Sequence, residues 1–209
     1  MVSLPTPAYN ILDEYVGHVY EPAEDTFLLL DALEKDAEIF RALNPTIGIE
    51  VGCGSGIVSA FLLKLLGEPL FFIATDLDFI TLQCTLHTAL LNDVEVNVVQ
   101  CDLLSAVQDR LKQNVDIILF NPPYVPTDSE STDSLVRCWS GGSTGRKTLE
   151  RLLPIVPDLL TSHGLFYIVA LHSNDIPYLL NINPRLRGEI VCERRCGIEH
   201  LYILKYKRL

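Results

Sequence analysis

The sequence opens without a basic run leading into an apolar stretch. MVSLPTPAYN does not have the form of a signal peptide, and no export step is expected. No apolar run approaches membrane-spanning length either; Phe61–Leu66 is already broken by Lys64. Basic residues are scarce, 16 Lys and Arg against 27 Asp and Glu, for a net charge of −11 and a pI near 4.8. Such a surface repels polyphosphates, so unaided binding to duplex DNA or RNA is disfavoured unless a local basic patch or a basic partner reverses it. The six cysteines are scattered, and without export they are expected to stay reduced inside the cell. Cys192 and Cys196 lack a second close pair or a histidine cluster, so no metal site is expected there. Repeats and low-complexity tracts are also missing.

What the chain does have is core material: 48% of its 209 residues are hydrophobic, ample for one domain. Residues 1–17 read as a flexible N-terminal arm and 18–209 as a single domain. Glu21-Pro22-Ala23-Glu24-Asp25-Thr26 opens a helix running to about Ala42, with proline in the first turn and acids at the positive end of the dipole. Strands and helices then alternate: strand Ile47–Val51, helix Gly56–Leu66, strand Phe71–Thr75, helix Phe79–Asn92, strand Val94–Gln100, strand Asp116–Phe120, helix Thr148–Leu160 and strand Gly164–Leu171. Glu189–Glu193 and His200–Tyr206 suit a closing antiparallel hairpin. Continuous apolar strands in a βαβ rhythm predict a doubly wound, mostly parallel α/β sheet with helices on both faces. The long, polar, glycine-rich stretch Val125–Gly145 is expected to be a mobile loop that orders on substrate.

Glu50-Val51-Gly52-Cys53-Gly54-Ser55-Gly56 lies between the first strand and its helix. Glycines there allow a sharp turn and let a ligand approach the main chain. Their spacing, GxGxG, differs from the dinucleotide pattern, and the acid before them would repel a pyrophosphate but accept from an ammonium group. An amino-acid-bearing nucleoside therefore fits better than a dinucleotide. Asp76 ends the second strand, where an acid can take both ribose hydroxyls; Asp102 follows the third, where a carboxylate can accept an adenine amino proton with Leu103 against the ring. Each alone suits a solvated strand end or helix cap. All three fall at the carboxyl ends of successive strands, where open α/β sheets bind ligands.

Asn121-Pro122-Pro123-Tyr124 ends the fourth strand. The prolines stop the strand and stiffen the turn. The asparagine side-chain oxygen and the Pro122 carbonyl are two acceptors that could hold both protons of one planar NH2 group, with Tyr124 stacking on the plane or capping it.

With Tyr20-Glu21-Pro22-Ala23-Glu24-Asp25-Thr26 before these motifs and Trp139-Ser140-Gly141-Gly142-Ser143-Thr144-Gly145-Arg146 after them, the chain resembles the HemK-type glutamine methyltransferases. It is most similar to the short eukaryotic and archaeal branch acting on class-1 translation termination factors. The likeness covers nearly everything from Val19 onward. Cys53 departs from the family's usual serine, at a spacer between glycines. The resemblance implies a seven-stranded class I methyltransferase sheet with a C-terminal antiparallel hairpin and S-adenosyl-L-methionine as cofactor. It implies Thr26, Glu50, Gly52, Gly54, Asp76, Asp102, Leu103 and Asn121 at the cofactor, and Asn121, Pro122, Pro123 and Tyr124 at the substrate. The substrate would be the glutamine of a Gly-Gly-Gln tripeptide on the release factor. A small zinc-binding activator would be the partner, expected on the valine-rich edge strand Val94–Gln100. The cytoplasm is the expected location, with the nucleus as a second.

Adenine N6 is also a planar NH2, so the motif alone leaves nucleic-acid methylation open, though charge and size oppose it. A lysine on a histone tail stays open too, although an ammonium must first lose its proton and no base is evident. A non-catalytic scaffold is the remaining reading, opposed by the intact Asn121 and the three acids. No histidine falls in the motifs; His87, His163, His172 and His200 read as surface or packing residues.

Overall fold

The computed structural model describes residues 4–128 and 134–209. In chain order it forms α1 (Glu24–Lys35), α2 (Ala37–Leu43), β1 (Ile47–Val51), α3 (Ile57–Leu66), β2 (Phe71–Asp76), α4 (Phe79–Leu91), β3 (Asn97–Gln100), β4 (Val115–Phe120), α5 (Ser134–Trp139), α6 (Lys147–Leu152), α7 (Val156–Leu159), β5 (Leu160–Leu171), α8 (Ile176–Leu180), β6 (Leu186–Cys196) and β7 (Glu199–Arg208). The strands make one seven-stranded sheet in the order β3-β2-β1-β4-β5-β7-β6. β1 to β5 pair in parallel, while β7 runs antiparallel to both β5 and β6. This is the expected doubly wound sheet with its closing hairpin.

Strand alternation explains why these segments read as unbroken apolar runs. Leu165, Tyr167 and Val169 of β5 face one core, shared with α1, α2 and α3. Phe166, Ile168 and Ala170 face a second core, filled from α6, α7 and α8. Successive side chains point to opposite faces, and both faces are covered, so every position can be apolar.

Three predicted elements differ in extent. The single helix expected to reach Ala42 breaks at Asp36. That carboxylate is buried, accepting from the Tyr167 hydroxyl at 2.7 Å and Lys205 Nζ at 2.7 Å, and Lys205 also meets Glu189 at 2.8 Å. A polar anchor inside the core outweighs one turn of helix. The helix expected over Thr148–Leu160 is two short ones, α6 and α7, because Pro154 has no N–H to donate and its ring crowds the preceding turn. The third strand pairs only over Asn97–Gln100; Val94 instead donates back to the Ala89 carbonyl and leaves α4.

Residues 4–17, for which a flexible arm was expected, are tied to the domain at several points. Leu4 N–H donates to Glu34, and Ala8 exchanges two hydrogen bonds with the Asn92 amide. Tyr15 and Val19 bury against Cys84 of α4. The arm is thereby led across α4 to the carboxyl edge of the sheet. Ser129–Asp133, inside the stretch expected to be mobile, lie outside the described residues. The described flanks are organised: α5 lies within them, Val125 N–H donates to Trp139, Gly141 N–H to Val125, and Thr127 N–H to Gly142.

Candidate active site

All the residues singled out at the strand ends line one cavity of about 600 Å³ at the carboxyl edge of the sheet. Thr26, Glu50, Gly52, Gly54, Asp76, Asp102 and Leu103 share it with Asn121, Pro122, Pro123 and Tyr124. The size suits a small-molecule ligand. Its position follows from topology, since parallel strands deliver every loop between strand and helix to the same edge.

The wall over β1, β2 and β3 is built from the strand ends and the turns that follow them. After β1 the chain turns through Gly52, Gly54 and Gly56, all at positive φ. At Gly56 (φ +76°) a Cβ would lie 2.8 Å from the Thr85 backbone, so α3 can start this close to α4 only on glycine. A Cβ on Gly54 would project into open space, leaving main chain exposed to a ligand. Glu50 is 3% exposed and accepts from Ser59 Oγ; burial pushes its carboxyl up to about 8, against the pull of the Ser59 hydrogen bonds. A group poised like this ionises readily once a cation arrives. Asp76 accepts from the backbone N–H groups of Asp78 at 3.0 Å and Gly54 at 3.4 Å. Burial raises its pKa and those amides oppose the rise. Asp102 is gripped by Arg151 Nη2 at the rim. Leu103 beside it sits at φ +53°, a left-handed conformation rare for leucine and typical of sites that hold a ligand. A turn with open main chain, a buried carboxylate with no cation beside it among the described residues and two carboxylates at strand ends together fit a nucleoside that carries an amino acid.

The wall at the end of β4 is built by long-range contacts. Asp25, buried at the start of α1, accepts from Asn121 Nδ2 at 2.9 Å and the Tyr124 hydroxyl at 3.0 Å. Thr26 Oγ1 at 3.3 Å and the Tyr20 hydroxyl at 3.4 Å donate to its other oxygen. Four donors use the whole accepting capacity of a carboxylate. With Nδ2 committed to Asp25, Asn121 Oδ1 is left buried with no hydrogen-bond partner among the described residues. An unmet buried acceptor costs roughly 1–3 kcal/mol. Tyr124, expected to stack on the substrate plane or cap it, lines the cavity, with its ring largely in the core and its hydroxyl on Asp25; burial first, then the Asp25 charge, raises its pKa.

Behind this turn stands the glycine-rich segment. Asn174 Nδ2 donates to the Tyr124 carbonyl at 2.8 Å, its Oδ1 accepts from Leu171 N–H at 2.7 Å, and its carbonyl accepts from Arg146 Nη1 at 3.1 Å. A Cβ on Gly145 (φ +68°) would lie 2.2 Å from the Tyr124 carbonyl oxygen and 2.3 Å from Asn174 Nδ2. Thus the Gly-Gly…Gly-Arg pattern is the imprint of one backbone packed on another. The sequence alone assigned Asp25, Tyr20, Arg151 and Asn174 no role in the site. Asp25 and Tyr20 lay within a quoted motif; nothing in the sequence marks Asn174. His18 was also passed over: it lines the cavity, with Nδ1 2.9 Å from Asp78 Oδ2.

Known proteins match the chain over most of its length. Residues 23–187 match the model of the family described as methyltransferase small domain. The chain is similar to methyltransferase HEMK2 of Homo sapiens, 42% identical over 95% of this chain and 98% of that one. It is 37% identical, over 100% of its own length and 97% of the other, to the eRF1 methyltransferase catalytic subunit mtq2 of Schizosaccharomyces pombe. Among solved structures it resembles the E. cuniculi Mtq2–Trm112 complex responsible for the methylation of the eRF1 translation termination factor. There the TM-score is 0.68 and the identity 26%, over 92% of this chain and 99% of that one. The chain belongs to the methyltransferase small domain family and is an S-adenosylmethionine-dependent methyltransferase.

Proposed function

We propose that the chain methylates the side-chain N5 of a glutamine, the one in the Gly-Gly-Gln motif of a class-1 translation termination factor. The observation that carries this is Asn121, which lines the cavity and whose Oδ1 is a buried acceptor unpartnered among the described residues. It waits for a donor. A primary amide offers two N–H groups in one plane, one for Oδ1 and one for the Pro122 carbonyl beside it. Asp25 fixes the orientation by holding the Asn121 amide at Nδ2.

S-adenosylmethionine, when bound, supplies a methyl group already activated on sulfur. Thr26, Glu50, Gly52, Gly54, Asp76, Asp102 and Leu103 would hold it, with Glu50 answering its ammonium group. The task left to the chain is the nucleophile. An amide lone pair is delocalised into the carbonyl, and two acceptors on the NH2 group favour its localisation on nitrogen. Fixed in-line geometry contributes roughly 7–11 kcal/mol in favourable cases, and aimed dipoles in a dry site add to it. After transfer the substrate nitrogen would lose its proton to water. No base needs to act first.

Two features favour an amide over a lysine amine or adenine. The Asp25 carboxylate is fully engaged by four donors and is not free to deprotonate an ammonium. The net charge of −11 opposes nucleic acid.

The resemblance and the eRF1-directed relatives support a small zinc-binding activator as partner. β3 is an edge strand pairing with β2 alone. Beside it, α4 exposes Phe79, Leu86, Leu90 and Leu91, an apolar surface that otherwise invites aggregation. Val96 and Val98 pack inward against Cys53, Ala74 and Leu82, so the surface probe is Leu90, 77% exposed. Leu90→Glu is expected to abolish co-purification with the activator while the cofactor still binds.

The function is tested with the co-expressed complex and radiolabelled cofactor. It is offered a release factor, the same factor with its motif Gln→Ala, histones and DNA in parallel. Label on the factor alone, lost with Gln→Ala, is expected. Label on histone or DNA in preference to the factor would contradict the reading.

A further inference from the structure

The cavity holds the cofactor and one side chain, so the rest of a protein substrate has to rest on its rim. The sheet order says which rim. Cofactor-facing groups stand over β1, β2 and β3, and the amide acceptor stands at β4. The next strands outward are β5 and β7. The cavity extends that way, because Glu199 at the start of β7 is part of its lining.

Immediately before Glu199 the β6–β7 hairpin turns through Gly197-Ile198, with Gly197 at φ +59°. Gly in the first central position is the expected chemistry of such a two-residue turn; an isoleucine in the second is not. Ile198 is 104% exposed, so folding gains nothing from its side chain. A fully exposed isoleucine at the tip of the hairpin leaves its apolar surface free for a partner. The surface next to it is aromatic. His200 lies 5.7 Å, ring to ring, from exposed His172 at the end of β5, and the two planes are within 15°. An isoleucine and stacked imidazole rings at the strand whose Glu199 lines the cavity have the apolar and aromatic character of an interface patch.

We infer that the Ile198 turn and the His172–His200 stack form a docking surface for the body of the protein substrate, distinct from the groups that hold the reacting glutamine. The inference rests on the proposed activity toward a protein. Its occupant is the folded release factor, whose chain must leave the amide acceptor over the ends of β5 and β7. The activator, placed at β3, lies at the other end of the sheet and leaves this rim open.

The test compares the intact release factor with a short peptide containing Gly-Gly-Gln, both methylated by the co-expressed complex. Ile198→Asp is expected to raise KM for the intact factor about five- to thirtyfold, the effect of truncating a contributing interface residue just short of a hot spot. It should leave kcat, peptide kinetics, cofactor Kd and Tm unchanged. His172→Ala should act in the same direction, more weakly. An unchanged KM for the intact factor in both variants would overturn the inference while leaving the proposed function intact. So would equal losses on factor and peptide, which would place the effect inside the cavity. If the unaltered complex methylates only histone or nucleic acid, the proposed function and the docking surface fall together.

Discussion

The two walls of the cavity are made in opposite ways. Over β1 and β2, each group is presented by the strand it ends and the turn it opens, and its partners are nearer in sequence: Glu50 with Ser59, Asp76 with Gly54 and Asp78; Asp102, after β3, is the exception, held by Arg151 49 residues away. At β4 the partners are remote. Asn121 leans on Asp25, 96 residues away, and Tyr124 on Asn174, 50 residues away. The first wall is a standing feature of the fold. The second exists only once α1, β4, the glycine-rich segment and the end of β5 have come together. Substitutions in the second should therefore disturb both stability and transfer, and those in the first chiefly ligand affinity.

The sharpest way to break the comparison is Gly145→Ala. The left-handed backbone costs a non-glycine residue about 1–2 kcal/mol, and forced overpacking costs about 1–3 kcal/mol more. The expected outcome is a clear fall in Tm with transfer lost. A stable, active variant would mean the close approach of Gly145 to Tyr124 is unimportant. Next in size is Asp76→Ala. Losing hydrogen bonds to a charged acceptor is worth roughly 1.5–3 kcal/mol, about ten- to a hundredfold in cofactor affinity, with Tm little changed. Calorimetry that finds the affinity intact would remove Asp76 from the cofactor site.

The smallest effect is a proton. The Glu50 carboxyl stands at about 8, above its ordinary 4.5, so in the free chain it is mostly protonated at neutral pH. An ammonium partner lowers the pKa, and cofactor binding should then release up to about one proton at neutral pH. The release should fade as pH rises past about 8, where the carboxyl is already ionised. Calorimetry in buffers of different ionisation enthalpy reads this directly. Proton uptake, or no change with pH, would argue that Glu50 does not meet the ammonium group. Glu50→Gln should abolish the release.

The same contrast explains what the sequence made legible. The strand Ile47–Val51 and the acids at strand ends could be found because glycine spacing, an acid before it and an apolar run are local patterns. The Asn-Pro-Pro-Tyr turn was legible as a stiff strand end for the same reason. Asp25 sat in a helix-opening motif and read as a dipole partner; its role as the brace of Asn121 depends on a contact that only the packed α1 provides. The commitment of Tyr124 to that brace, and of Asp102 to Arg151, followed the same logic. The break at Asp36 was hidden because its partners, Tyr167 and Lys205, come from β5 and β7. Pro154 and Pro157, by contrast, were visible and should have split the helix expected over Thr148–Leu160.

The most direct measurement of the central claim, that Asn121 Oδ1 is the acceptor for the substrate amide and belongs to the second wall alone, is Asn121→Ala. Its cofactor Kd and its single-turnover methyl transfer would be determined side by side in the activator complex. An acceptor needed with substrate and in the transition state should leave Kd within about twofold and cut transfer by about a hundredfold or more. A variant that keeps half of its transfer rate, or one that loses cofactor and transfer together, would contradict it.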